Sequence, residues 1–145
     1  MVRVELTGPD GHPIFQPSDE AVVGLLRKGD QYWESGSGAM GIDVVVSTSG
    51  AKRTMIVIAR KALGVHLELY GEEGARDYLL SVKAGEEERA VAVWVGGEKH
   101  YLPASTFIPE PEAEEAILEF VRTGEASNAS LWKRRSEVWW PDTED

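Results

Sequence analysis

The feature that most constrains the fold is a series of short segments in which apolar and polar residues alternate, from QYWES at residues 31–35 to EKHYLP at residues 98–103. Such alternation predicts half-buried β-strands. The segments are joined by short turns, for example SGAK at residues 49–52, so neighbouring strands should pair antiparallel. Gly96–Gly97 gives the strongest hairpin signal, because the favoured tight turn requires positive φ angles. We therefore predict a meandering antiparallel sheet of about six strands.

Two segments with helical signals lie on either side of these strands. The first covers residues 19–28, with Ser18 as its N-cap. The second runs from Glu110 to Thr123, with prolines at its start and Gly124 after its end. The apolar residues of the second helix recur at helical spacing and form one face, namely Ala113, Ala116, Ile117, Phe120 and Val121. We therefore predict two main helices, each with one buried face.

An antiparallel sheet with one face under helices is typical of the α+β class. The length of 145 residues gives no reason to divide the chain. We therefore predict a single α+β domain over residues 1–140 and a flexible acidic tail over residues 141–145.

The net charge limits which partners are expected. There are 25 acidic and 15 basic residues, which give a charge of −10. A negative field repels nucleic acid and anionic membranes and attracts basic proteins. Cysteine is absent, which excludes disulfides and thiolate metal sites and is compatible with a reducing cytoplasm. With no long apolar run and no secretory signal at residues 1–15, we expect a cytoplasmic protein that binds neither nucleic acid nor membranes.

Much of this charge lies on the second predicted helix. Residues 110–125 contain six glutamates and one arginine, so they carry half of the net charge of −10. Acidic residues near a helix N-terminus are favoured by the helix dipole, but Glu119 and Glu125 lie too far along the helix for this explanation. The outer face of the helix is either a solvated surface or one half of an electrostatic contact, and the sequence leaves both open.

No residue pattern indicates catalysis. The three histidines, His12, His66 and His100, do not have the spacing of metal ligands, and we expect no metal or cofactor. His66, Glu68 and Tyr70 share one strand face, which predicts a solvent-facing row or a weak acid–base or metal pair. An alternative function is small-ligand binding or catalysis by an α+β domain with His66, His100 and Tyr101 near a pocket.

Two other segments invite functional interpretations. The glycine-rich residues 36–41 lack the lysine of a phosphate-binding loop and precede a predicted strand, so we interpret them as a flexible loop between strands. LWKRRSEVWW, at residues 131–140, combines basic and aromatic residues, but the net charge disfavours a nucleic-acid site. We expect its arginines to pair with the acidic helix and its tryptophans to pack the last strand onto the core, with either Trp139 or Trp140 exposed. An exposed patch around these tryptophans would instead indicate a subunit of a larger assembly.

The order of motifs in the second half of the chain resembles a known family. A hairpin ending in YLP is followed by STFIP, the acidic helix EAEEAILEFVRTGE and the tryptophan strand SLWK. This order resembles the family-one immunity proteins of bacterial polymorphic toxin systems, over residues 31–132. The matching positions are Leu102, Pro103, Ile108, Pro109, Ala116, Phe120, Thr123, Gly124, Glu125 and Trp132.

The resemblance implies a non-enzymatic antitoxin that binds a cognate secreted toxin domain, a deaminase or a nuclease, and blocks it one-to-one. A toxin that acts on nucleic acid carries a basic cleft, and an acidic protein is complementary to such a cleft. Acidic residues on predicted loops and outer faces are the candidates for contact with the toxin: Glu72, Glu73, Asp77, Glu86, Glu87, Glu88, Glu98, Glu112, Glu115 and Glu119. In a meander, the loop at residues 72–77 and the Gly96–Gly97 turn would lie on one edge of the sheet, and the turn at residues 85–88 on the other.

Overall fold

The computed structural model describes residues 2–71, 78–128 and 130–141 of the chain. Within these residues, eight strands form one antiparallel sheet, and two more strands form a separate hairpin. The strands are β1 (Val2–Thr7), β2 (Pro13–Phe15), β3 (Met40–Val46), β4 (Lys52–Arg60), β5 (Gly64–Tyr70), β6 (Leu79–Val82), β7 (Ala90–Val95), β8 (Glu98–Pro103), β9 (Phe107–Ile108) and β10 (Leu131–Arg134). The helices are α1 (Asp19–Leu26), α2 (Asp30–Ser35) and α3 (Glu110–Thr123), with 3-10 turns at Ala104–Thr106 and Arg135–Glu137.

The sheet has the strand order β10-β6-β5-β4-β3-β1-β2, and β9 pairs with β5 outside this order. Strands β3 to β6 follow each other in space as they do along the chain, which confirms the meander and the α+β class. The described strands outnumber the predicted six because β1 and β2 extend the sheet beyond β3, while β9 and β10 add pairs at the other end. We call the face covered by α1 and α3 the inner face, and the opposite face the outer face.

Both predicted helices are confirmed, and their local signals act as expected. The Ser18 hydroxyl accepts a hydrogen bond from the Ala21 N–H at 3.1 Å. Gly124, with a φ of 76°, ends α3 in the left-handed conformation that glycine adopts most easily. The five apolar residues predicted for the inward face of α3 are all buried against the inner face of the sheet. The main core therefore lies between this helix layer and the sheet.

The QYWES segment is a helix, so the prediction of a strand there is wrong. In α2 the Trp33 side chain is fully buried in the core, and its indole N–H donates to the Leu25 carbonyl at 3.2 Å. A six-residue helix is too short to show a reliable period, and burial of one large aromatic side chain decides its conformation. As a result, residues 36–39 of the glycine-rich segment connect a helix to a strand rather than two strands, and its last two residues, Met40 and Gly41, begin β3.

The β7–β8 hairpin leaves the meander and packs across the outer face. Its Gly96–Gly97 turn has φ angles of 62° and 82°, as the sequence predicts. The hairpin is a two-stranded sheet of its own, so the expectation that it continues the main sheet is wrong. Val93 and Leu102 pack with Phe107 in a second, smaller core. The Gly96–Gly97 turn was predicted to lie on the same edge of the sheet as the loop at residues 72–77. That prediction assumed one continuous sheet, which the separate hairpin rules out, and the loop lies outside the described residues.

The longest described helix, α3, has 14 residues. Across residues 2–71, 78–128 and 130–141, no helix combines the length and apolar character needed to cross a membrane.

Candidate functional site

Ion pairs at both ends join α1 to α3. At the C-terminal end of α1, Arg27 lies 3.1 Å from Glu114 and 3.8 Å from Glu110 near the start of α3. At the other end, Arg122 near the C-terminus of α3 lies 2.9 Å from Asp19. The two helices therefore run antiparallel. Exposed ion pairs contribute little stability, roughly 0–1 kcal/mol each, so their main effect is to neutralise the acids along this seam.

Three glutamates on α3 are not paired with any cation among the described residues. Glu112, Glu115 and Glu119 lie at helical spacing on one side of the helix and make no ion pair with a described residue. They form a row about 10 Å long, because each helical residue adds about 1.5 Å. We call these three residues the acidic stripe. The predicted acidic ridge is therefore present, and its charge is concentrated in these residues.

The candidate acids around the hairpin lie on the opposite side of the sheet. Glu86 is mostly buried and is paired with Lys83 at 3.6 Å and Arg89 at 3.2 Å, so its charge is neutralised locally. Glu87 and Glu88 are exposed and make no ion pair within the described part of the chain. The Glu98 side chain is 81% exposed, and it lies 3.7 Å from the His100 ring.

The structure thus divides the predicted contact residues into two groups, the acidic stripe and the hairpin acids, on opposite faces of the sheet. No described contact brings the groups together. Glu72, Glu73 and Asp77 lie outside the described residues, as does the acidic tail beyond residue 141.

The C-terminal segment differs from its prediction. Arg135 stacks on Trp140, with 3.9 Å from the guanidinium carbon to the ring centroid, and Arg134 makes no ion pair with α3. The expectation that these arginines pair with the acidic helix is wrong, because α1 provides Arg27 for that helix instead. The last described strand ends at Arg134, so neither terminal tryptophan lies in a strand. Trp140 packs against the second core, whereas Trp139 is 39% exposed, which confirms that one of the pair is exposed.

A buried polar network runs along β5 on the outer face. His66 is fully buried, so the prediction of a solvent-facing row is wrong. Its Nδ1 lies 2.7 Å from the Thr106 hydroxyl, and its Nε2 lies 2.7 Å from Oε2 of Glu68. The Tyr70 hydroxyl donates to the other Glu68 oxygen at 2.8 Å. The row is covered because the Ala104–Thr106 turn contacts His66, while β9 pairs with β5 beside it and places the Phe107 ring 5.5 Å away.

The hydrogen bonds fix where one proton of this network must be. The Thr106 hydroxyl donates to the Pro103 carbonyl at 2.8 Å, so it accepts from the Nδ1–H of His66. A carboxylate also only accepts, so a second proton must lie between Nε2 of His66 and Glu68. This arrangement is a buried imidazole–carboxylate pair that shares a proton.

The surroundings shift the pKa of Glu68 and of the two tyrosines near it, Tyr70 and Tyr78. Burial acts to raise the pKa of Glu68, but the hydrogen bond and charge of His66, the Tyr70 hydroxyl and the charge of Arg135 outweigh burial. The pKa of Glu68 therefore lies below its ordinary value of 4.5. Burial and then the charge of Glu68 raise the pKa of Tyr70 well above its ordinary value of 10.0. Tyr78 stacks on Tyr70 at 4.4 Å, and burial likewise raises its pKa.

We expect alkaline pH to destabilise the wild type more steeply than Tyr70→Phe. The folded-state pKa of Tyr70 lies above its ordinary value of 10.0. The contribution of its hydroxyl to the free energy of unfolding is therefore fully present below this ordinary value. Above it, the unfolded chain releases the proton first, and the free energy of unfolding falls by about 1.4 kcal/mol per pH unit for one tyrosine. Urea unfolding from about pH 9 to about pH 11 measures this slope. Equal slopes in the two proteins would contradict the prediction.

The alternative site does not converge. His66 is buried in the network, while His100 and Tyr101 are neighbours on β8 and therefore point to opposite faces of the hairpin. An open cleft of about 560 Å³ beside Phe15 on the outer face contains none of the three. Among the described residues, no group of three or more histidine, aspartate or glutamate side chains is arranged to hold a metal ion.

The exposed aromatic side chains of the hairpin were not predicted from the sequence. Trp94 and Tyr101 project from its solvent-facing side and are 48% and 37% exposed. The signal was present in AVAVWV, where alternation separates the valines from Ala90, Ala92 and Trp94.

The chain matches no protein-family model, and no curated protein is significantly similar to it.

Proposed function

We propose that this protein is an immunity protein, which binds the toxin domain of a bacterial polymorphic toxin system one-to-one and blocks it. The observation that carries the proposal is the excess of acidic charge that the described ion pairs leave uncompensated. The net charge is −10, and the unpaired acids lie on both faces of the sheet. The order of motifs between the hairpin and Trp132 is the second support.

A negative field of this size affects the encounter with a basic protein. Nucleases and deaminases bind a polyanion, so their active-site clefts are basic. Attraction between opposite fields raises association rates by roughly 10- to 1,000-fold, and the effect falls as salt rises. Rapid capture suits self-protection, because the producing cell must bind each toxin molecule before it reaches nucleic acid. The proposed mechanism is occlusion, in which the bound protein excludes the nucleic-acid substrate.

The decisive experiment uses the toxin domain encoded beside this gene. We expect the activity of the purified domain on nucleic acid to disappear when one equivalent of this protein has been added. We also expect the association rate to fall steeply when the salt concentration is raised, because charge drives the encounter. Inhibition at far below one equivalent, or full toxin activity in the presence of excess protein, would overturn the proposal.

The acidic stripe provides a variant that tests the role of charge. The variant Glu112→Gln/Glu115→Gln/Glu119→Gln removes three charges that no described cation pairs with. We expect about a tenfold slower association and little change in dissociation, because a long-range field acts mainly on the encounter. A control is Glu110→Gln/Glu114→Gln, which removes two charges that share the single cation Arg27 and should slow association less than the removal of three unpaired charges.

A further inference from the structure

The solvent-facing side of the β7–β8 hairpin has an unusual composition. Along β7, Val91 and Val93 are buried against the outer face of the sheet. The residues before, between and after them face solvent and are all apolar: Ala90, Ala92 and Trp94. An antiparallel strand with one wet face normally carries polar residues on that face. The alanines also leave open space beside the tryptophan ring.

The opposing strand completes an aromatic surface. Tyr101 is paired with Ala92, and Lys99 is paired with Trp94, so the two rings are diagonal neighbours on one face. The Lys99 ammonium lies 5.8 Å from the Trp94 ring centroid and 5.9 Å from the Tyr101 ring centroid. The rings therefore already hold a cation between them, at the outer limit of a cation–π contact.

This surface differs from the other exposed apolar side chains. Among the described residues, the large apolar side chains with substantial exposure are Phe15, Trp94, Tyr101, Leu131 and Trp139. Phe15 and Leu131 lie on strands at opposite edges of the main sheet, and Trp139 lies in the C-terminal segment. Only the hairpin places two of them side by side. Exposed acids lie elsewhere in this part of the chain, with Glu87 and Glu88 before β7 and Glu98 on the other face of the hairpin, beside His100.

We propose that this hairpin face is the surface that contacts the toxin domain, and that a lysine or arginine of the toxin displaces Lys99 between Trp94 and Tyr101. The inference rests on the proposed function and assigns its contact site. The incoming cation gains two aromatic faces, those of Trp94 and Tyr101. Tryptophan and tyrosine surrounded by polar groups are typical of the residues that dominate binding energy.

Charge complementarity identifies the occupant as a basic protein. A second copy of this chain would bring another charge of −10 to the same surface, which disfavours self-association. The acidic stripe lies on the other side of the sheet and contains no aromatic residue. The two groups of acids therefore have separate roles, in which the stripe speeds the encounter and the hairpin holds the complex together.

The test measures association and dissociation rates of the neighbour-encoded toxin domain with immobilised protein. We expect Trp94→Ala and Tyr101→Ala each to weaken binding by at least about 30-fold, with most of the change in the dissociation rate. Trp139→Ala, which truncates an exposed tryptophan outside the hairpin, should change the affinity by less than about threefold. Lys99→Ala should leave the affinity unchanged or improve it, because it removes the competing cation.

The outcomes separate this inference from the proposed function. If the wild type fails to bind the toxin, the proposed function is wrong. If the wild type binds and Trp94→Ala and Tyr101→Ala bind equally well, only the contact site is wrong. Weaker binding by Lys99→Ala would overturn the displacement step. A dimer of the isolated protein that dissociates in Tyr101→Ala would identify a second copy as the occupant and overturn the inference. Circular dichroism and Tm verify that each variant is folded. If Trp94→Ala does not fold, Trp94→Phe, which retains an aromatic ring, replaces it.

Discussion

We expect Arg60→Met to lower the free energy of unfolding by about 2–4 kcal/mol, because two carbonyl groups in the interior lose their donor at about 1–3 kcal/mol each. Arg60 is almost completely buried at the end of β4. Its Nε lies 3.1 Å from Glu34 of α2, and its Nη2 donates to the carbonyls of Gly38 at 3.1 Å and Trp94 at 2.6 Å. Methionine fills much of the volume but leaves these acceptors without a donor. The hairpin would also lose its main polar connection to the sheet.

Arg53→Met is a matched control on the same strand. Arg53 donates to the Gly124 carbonyl at 3.3 Å and pairs with Glu125 at 3.0 Å, but its side chain is one-third exposed. Its Nε is buried without a hydrogen-bond partner among the described residues, so removing the arginine also relieves a desolvation cost. We expect a loss of less than about 1 kcal/mol. Urea unfolding followed by tryptophan fluorescence measures both variants, and equal losses would refute the role assigned to Arg60.

The helices α1 and α3 could be predicted because their determinants are local. Ser18 caps α1, Gly124 ends α3, and the apolar positions of α3 repeat over its full length. The short helix α2 could not be predicted, because its conformation depends on the burial of Trp33 against residues distant in sequence. Local propensity decides long elements, whereas tertiary packing decides short ones.

The hairpin was predictable in its turn but not in its position. Gly96 and Gly97 fix the turn through their own φ angles. The departure of the hairpin from the main sheet depends on contacts that sequence does not display, above all the bonds of Arg60 to Trp94 and Gly38. The packing of the hairpin, the Ala104–Thr106 turn and the Phe107 ring over the outer face also explains why His66 is buried. Alternation identified which residues share a face with His66, but not what covers that face.

The acidic site was predicted only in part. Composition identified the acidic helix, but the antiparallel arrangement of α1 and α3 decides which glutamates are neutralised. Glu110 and Glu114 face Arg27, while Glu112 and Glu115 do not. The partners of Arg27 are more than 80 residues away in sequence, as shown by the separation of 87 to Glu114. Sequence spacing therefore could not distinguish paired acids from free ones.

We expect His66→Leu and Glu68→Leu each to destabilise the protein by about 3 kcal/mol at neutral pH, because each leaves a buried partner uncompensated. His66→Leu leaves the Glu68 carboxylate with the Tyr70 hydroxyl as its one remaining described hydrogen-bond donor. Glu68→Leu leaves Nε2 of His66 without its described partner in a fully buried site. The double variant removes both partners together, so its loss should be smaller than the sum by about 1–3 kcal/mol. Additive losses would mean that the two side chains do not act as a pair.

The same variants separate the pair from simple packing through their response to acid. The folded-state pKa of Glu68 lies below its ordinary value of 4.5, so its stabilising contribution is complete above that value. Once the pH has fallen through the folded-state pKa, the carboxyl group is protonated in the folded and in the unfolded protein. Its contribution to the free energy of unfolding is then lost. We therefore expect the wild type to lose more stability than Glu68→Leu when the pH is lowered from about 6 to about 3. Urea unfolding across this range measures the difference, and parallel curves for the two proteins would show that the network acts only through its packing.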